Sequence, residues 1–137
     1  FRRQGYVAAK FGWGPFGKGS LAQDVDQVRA AREGLGADGI LLVDAGTAFG
    51  EDVDRAAERL DVLRECRAEW FEEPFNSGAF AAYAALARRA GSLKLAGGEE
   101  CHNSLMARNM IDSAGIRFVQ IDAGRIGGIT PAKAVAS

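Results

Sequence analysis

Residues 70–75 read WFEEPF. Two bulky aromatics lead into two adjacent acids, and a proline closes the run. Trp70 and Phe71 belong to a short apolar stretch that reads as a strand from residue 69 to 71, and this strand delivers Glu72. A buried strand has no packing use for a carboxylate at its end, so the acids raise the question of what they bind.

The same punctuation recurs along the chain. Residues 39–43, GILLV, form a continuous apolar run that ends in Asp44. Such runs suit strands covered on both faces, as parallel strands are. Residues 93–96 form a strand that delivers Glu99, and residues 117–121, RFVQI, form one that delivers Asp122. An earlier run, YVAAKF at residues 6–11, is a further short strand. The segments between are amphipathic at helical spacing. Residues 20–35 form a helix capped by Ser20, with Gln23 in the capping-box position. Leu21, Val25, Val28 and Leu35 lie on one of its faces, and Gly34 and Gly36 suit its end. Residues 51–66 place Val53, Ala57, Leu60 and Leu63 inward. Residues 80–88 and 104–111 predict two more helices. A last one begins near Thr130, with Pro131 in its first turn.

A β-α unit repeated about five times predicts an α/β fold with a parallel sheet and helices outside. An open doubly wound sheet and a closed (β/α)8 barrel both produce this pattern. No Gly-x-Gly-x-x-Gly follows any strand, which weighs against dinucleotide binding. Five units do not close a barrel of eight, so the barrel reading requires strands outside these 137 residues.

Composition sets the remaining bounds. A hydrophobic fraction of 47% supports a core, and a net charge of -1 offers no basic surface for nucleic acid or a membrane. No apolar run reaches the ~20 residues of a membrane span. Cys66 and Cys101 lack metal-type spacing and read as small packing residues, which fits a reducing cytoplasm. The chain opens on Phe1 and stops at Ser137 in a helical-looking stretch, so we expect a fragment.

Asp44, Glu72, Glu99 and Asp122 are separated by 28, 27 and 23 residues, about one β-α repeat each. In a parallel sheet these strand ends lie on one side, and in a barrel they ring one mouth, where catalytic groups sit. Singly, such acids also serve as helix caps or solvated loop residues. As a series they would converge and repel one another unless protonated or joined by a cation. All-oxygen ligands suit a hard divalent ion, for which Mg2+ is the usual choice when few ligands come from protein. Strand alternation sets Glu72 on the face of Trp70 and Glu73 on the other, so Glu72 reads as the ligand and Glu73 as its structural partner. Glu99 and Glu100 pose the same choice; Glu99, directly after Gly97 and Gly98, is preferred.

The motifs LLVDAG (41–46), WFEEP (70–74), GGEE (97–100) and IDAGRIGG (121–128), with AAKFG (8–12), resemble the enolase superfamily and its mandelate racemase-like group. The resemblance implies a partial (β/α)8 TIM barrel covering strands two to six. Residues 1–137 would then be a fragment of the C-terminal catalytic barrel domain, without the N-terminal capping domain and the last barrel strands. It further implies Mg2+ held by Asp44, Glu72 and Glu99, and an Asp122 that orients a histidine of the seventh strand. Lys10 matches the first lysine of the family's second-strand Lys-x-Lys. The second is Gly12, a departure from the pattern. The shared chemistry is removal of the proton next to a carboxylate. With one base position lost, the resemblance implies an acid-sugar dehydratase acting on a small-molecule carboxylate, with a racemase or epimerase as the alternative within the superfamily. A non-catalytic metal- or ligand-binding α/β domain is the alternative outside it. Family members are commonly homo-oligomers.

His102, the single histidine, follows Cys101 and reads as a residue of a loop or helix start rather than the base. The glycine-rich stretch GWGPFGKG (12–19) lacks P-loop spacing. Its Trp13 and Phe16 read as lid or packing residues, with Trp13 also a candidate substrate wall. Arg125 is available to an anionic substrate or to solvent.

Overall fold

The computed structural model describes residues 2–137. A short 3-10 turn, Arg2–Gln4, leads to β1 (Ala8–Phe11), followed by α1 (Leu21–Leu35) and β2 (Ile40–Asp44). Two short helices, α2 (Val53–Ala57) and α3 (Leu60–Glu65), precede β3 (Ala68–Glu72). The chain continues through α4 (Phe80–Arg89), β4 (Lys94–Gly97), α5 (Ser104–Ser113), β5 (Phe118–Val119) and α6 (Ile129–Val135). The strands form one sheet in the order β1-β2-β3-β4-β5, every pair parallel. The chain is thus mixed α/β, as the repeat predicts, and all five strands end on the same rim.

The outer face of the sheet supplies the core. Leu41, Val43, Phe71 and Leu95 are buried there against Val28 and Leu35 of α1, Leu63 of α3, Leu86 of α4 and Met110 of α5. Phe16, from the loop after β1, meets Phe71 edge-on at 6.1 Å and Phe49 at 6.5 Å, a favoured aromatic geometry. The opposite face carries Lys10, Trp70 and Phe118. The Trp70 and Phe118 rings lie 4.8 Å apart although β4 runs between their strands. Strands two apart in a flat sheet are separated by about 9.5 Å. Rings meeting across β4 therefore mark this face as concave, and side chains shared by alternate strands are how a barrel interior fills.

Local rules account for most element ends. Ser20 accepts from Gln23 N at 3.3 Å while Gln23 Oε1 accepts from Ser20 N at 2.9 Å, the reciprocal box that the sequence predicts. The start of α5 is capped by Asn103, whose side chain accepts from Met106 N at 2.9 Å; His102 beside it is exposed. Two expectations are corrected. The helix expected over 51–66 divides at Glu58 and Arg59, and Arg59 turns inward there, only 2% exposed. The strand expected over 117–121 is regular only at Phe118–Val119, although Arg117 N and Gln120 N still bond to Leu95 O and Gly97 O at 2.8 and 2.9 Å.

Arg59 closes a buried ion pair. Its Nε and Nη2 each lie 3.0 Å from Asp24 Oδ2, and Asp24 is fully buried on α1. Asp24 Oδ1 accepts from Gly17 N at 3.0 Å, so one carboxylate ties α1, α3 and the loop after β1 together. Removing one partner leaves a buried charge unpaired, at a cost of about 3–5 kcal/mol. Asp24→Ala is therefore expected to lower unfolding free energy by about 3 kcal/mol, as Glu58 and the Arg55 carbonyl still hold the Arg59 guanidinium. Urea unfolding of the full-length protein reads this directly.

Candidate active site at the strand carboxyl rim

Asp44 and Glu72 are the last residues of β2 and β3 and stand opposite each other in the ladder. Asp44 is 6% exposed and Glu72 is fully buried. Lys10, one residue before the end of β1, places its Nζ between them, 2.7 Å from Glu72 Oε1 and 3.0 Å from Asp44 Oδ2. The remaining oxygens are also engaged. Trp70 Nε1 donates to Glu72 Oε2 at 2.9 Å, which the shared strand face of residues 70 and 72 makes possible. Gly46 N donates to Asp44 Oδ1 at 2.9 Å. Burial works against the Lys10 ammonium, but the hydrogen bonds to Glu72 and Asp44 outweigh it and raise the pKa. Lys10 is held as a fixed cation and is poorly suited to accept a proton near neutral pH.

Glu99 and Glu100 follow β4. Arg125 spans them, with Nη2 4.0 Å from Glu99 Oε1 and Nη1 3.4 Å from Glu100 Oε1, while Ser77 Oγ reaches Glu100 Oε2 at 3.3 Å. Asp122 Oδ1 accepts from Gly124 N at 2.7 Å and Arg125 N at 2.9 Å. These backbone donors favour its charged form and lower its pKa. The structure thus joins Asp44, Glu72 and Lys10 in direct contact. It sets Glu99 and Asp122 on the neighbouring loops, linked to each other through Arg125.

Glu73 follows the last residue of the strand, Glu72, and takes the left-handed region at φ 40°. It is 6% exposed, and its Oε1 has no hydrogen-bond partner. Burial, then the charges of Glu99, Glu100 and Asp44, push its pKa up to about 7. Only the proline that follows hints at this in the sequence. A carboxyl with a raised folded pKa binds a proton that the unfolded chain has released, so stability falls as pH rises from about 4.5 to about 7. In chelator-treated full-length protein, Glu73→Gln is expected to flatten this fall. Its melting temperature at pH 8 should rise by roughly 3–6 °C over wild type in calorimetry.

Among the described residues, no group of three or more His, Cys, Asp or Glu side chains is close enough together to hold a metal ion as it stands. The donor chemistry nevertheless fits Mg2+. Asp44 and Glu72 already converge on one cationic point, the Lys10 nitrogen, and Mg2+ is commonly held by one or two carboxylates with water or substrate completing the octahedron. The repulsion that Glu99, Glu100 and Asp44 exert on Glu73 points the same way, to a rim short of positive charge. Asp44 and Glu72 would hold the ion, with Glu99 the third ligand once released from Arg125.

The profile of the enolase C-terminal domain-like family matches residues 1–137. The chain belongs to that family. This enolase superfamily chain is 30% identical over 127 residues to mitochondrial enolase superfamily member 1 from Bos taurus, covering 89% of this chain and 28% of the bovine protein. A predicted mandelate racemase from Rhodobacter sphaeroides superposes with a TM-score of 0.91 at 57% identity, over 98% of this chain and 34% of that one. L-talarate dehydratase from Polaromonas sp. JS666, solved with Mg and L-glucarate, superposes with a TM-score of 0.79 at 30% identity, over 96% and 35%. The chain therefore spans about a third or less of each of these proteins. Its sheet is part of the family's C-terminal TIM barrel, and its relatives are mandelate racemase-like proteins and acid-sugar dehydratases. No helix among the described residues is long and apolar enough to cross a membrane.

Proposed function

We propose that the full-length protein is a Mg2+-dependent hydro-lyase that converts a sugar acid to a 2-keto-3-deoxy acid. In this reading residues 1–137 are strands two to six of the catalytic barrel, and the capping domain and last strands lie outside them. The observation that carries the reaction type is Gly12. It stands where the superfamily's second-strand motif has its second lysine, and a Cβ built there would lie 2.5 Å from the Asp44 carbonyl oxygen. No side chain fits at this point of the backbone, so one face of the substrate lacks a proton acceptor.

The division of labour follows from the site. Mg2+, when bound, supplies Lewis-acid stabilisation of the negative charge that develops on the substrate carboxylate. Lys10 adds a fixed positive charge beside that carboxylate, preorganised by Glu72 and Asp44. Trp70 holds Glu72 in place through its indole N–H. Asp122, kept ionised by two backbone N–H groups, orients a histidine of the seventh strand. That base takes the α-proton, the electron pair forms the carbon–carbon double bond, and the β-hydroxyl leaves with a proton as water. The enol then tautomerises to the keto acid. One histidine serves both proton transfers in a syn elimination. Free, buried Cys66 and Cys101 support a reducing, cytoplasmic setting.

The test is a panel of sugar acids incubated with the full-length protein and Mg2+ in D2O. A 2-keto-3-deoxy product is expected. Deuterium incorporation with inversion from both α-epimers, and no keto acid, would overturn the reading in favour of a racemase.

A further inference from the structure

The loop after β1 sends its two large aromatics in opposite directions. Phe16 is fully buried in the core, whereas Trp13 is 77% exposed. Exposed apolar residues scattered singly need no explanation. Trp13 differs because a seat has been made for it. Its indole lies against Gly46, where an added Cβ would be 2.6 Å from Cδ1 and 3.0 Å from Nε1. Gly46 is also the residue whose N–H holds Asp44 Oδ1. The indole is therefore one contact removed from the acids that converge on Lys10.

The loop that carries the ring is fastened along its length. Gly12 packs on the Asp44 carbonyl, and Phe16 N donates to Gly12 O at 3.1 Å. Gly17 N donates to Asp24, and Gly17 O accepts from Arg55. Gly12 and Gly14 take φ of 115° and 118°, a region that residues with a side chain avoid, so the loop bends sharply on either side of Trp13. A solvent-facing ring on a fastened loop, beside the acids that converge on Lys10, is a stacking surface. Aromatic side chains supply large contact areas at little entropic cost, and their faces are electron-rich. The C–H groups along a polyhydroxy chain match such a face, and its hydroxyls stay free to meet water or polar groups.

We propose that Trp13 is the platform on which the carbon chain of a sugar acid lies while its carboxylate end is held at Lys10, making Trp13 a determinant of substrate length. This rests on the proposed function for the class of substrate, but it concerns binding and not the chemical step. The full-length protein with Mg2+ is titrated calorimetrically with six-carbon acids (glucarate, galactarate, galactonate) and with three-carbon glycerate, then assayed with whichever are turned over. Trp13→Ala is expected to weaken binding of the best six-carbon acid at least tenfold, appearing in KM more than in kcat. The preference for that acid over glycerate should fall by a similar factor. Trp13→Phe, which keeps an aromatic face, should stay within about threefold of wild type in affinity. Unchanged affinity in Trp13→Ala overturns the platform, as does an equal loss for glycerate or a loss in Trp13→Phe as large as in Trp13→Ala. Wild-type binding without turnover removes the dehydratase reading and leaves the platform to be judged on affinity alone. Wild-type binding of none of the six-carbon acids overturns both.

Discussion

Glu72→Gln should reduce Mg2+-dependent turnover of the full-length protein by at least about 1000-fold. The residue is fully buried, and both its oxygens accept from donors, Lys10 Nζ at 2.7 Å and Trp70 Nε1 at 2.9 Å. A glutamine keeps one acceptor and turns an NH2 group toward one of those two donors. Donor then faces donor, and the charge that balances Lys10 and would hold the ion is gone. Hydrogen bonds to charged groups contribute about 1.5–3 kcal/mol each. Lys10 is 41% exposed, so solvent screens part of the loss and the stability cost should be closer to 2 kcal/mol. Two measurements separate the effects. Mg2+ affinity by titration should fall steeply, while urea unfolding should shift by only that modest amount. A variant that binds Mg2+ and turns over normally would remove Glu72 from the site.

Gly12→Lys tests whether racemase chemistry returns when the missing lysine is restored. The expected result is that it does not. Gly12 has φ 115°, and its Cβ would approach the Asp44 carbonyl oxygen to 2.5 Å, a backbone atom that cannot step aside alone. The chain must shift at the end of β1 or β2, moving Lys10 and Asp44 apart. A displacement of about 1 Å in a positioned group costs on the order of 100-fold in rate. Dehydration by Gly12→Lys should fall by about that factor, with no exchange of the α-proton on the second face. Gly12→Ala should lose nearly as much, because Cβ causes the damage and not the amine. If Gly12→Lys exchanged deuterium into both epimers, the backbone would be more yielding than this contact implies.

What the sequence reveals and what it hides divide along physical lines. The β-α repeat is visible because burial on both faces forces apolar runs, and helices outside force a 3.6-residue period. Asp44 and Glu72 stand out because each interrupts such a run at its end. Lys10 is picked out only by its match to the family's second-strand Lys-x-Lys, and its position between the two acids is not legible, since a parallel register cannot be read from one strand. The burial of Arg59 is hidden because its charge marks it as a surface residue, while its partner Asp24 lies on another helix. The raised pKa of Glu73 is hidden because it depends on burial and on Glu99, Glu100 and Asp44, which other elements bring near it. The indole bond of Trp70 to Glu72 could be sought from the spacing of two, but its formation depends on rotamers that no pattern encodes.

The order of strands in the sheet repeats their order in the chain, which has a consequence for synthesis. Each new strand pairs with the one made just before it, so a chain emerging from the ribosome can add one β-α unit at a time to an edge already in place. Contacts made this way are short in sequence for a parallel sheet, which keeps the loop-closure cost of each addition low. The same economy leaves a growing edge exposed at every stage. That edge is open to strands of neighbouring chains until the next unit arrives, and the rate of translation sets how long the exposure lasts.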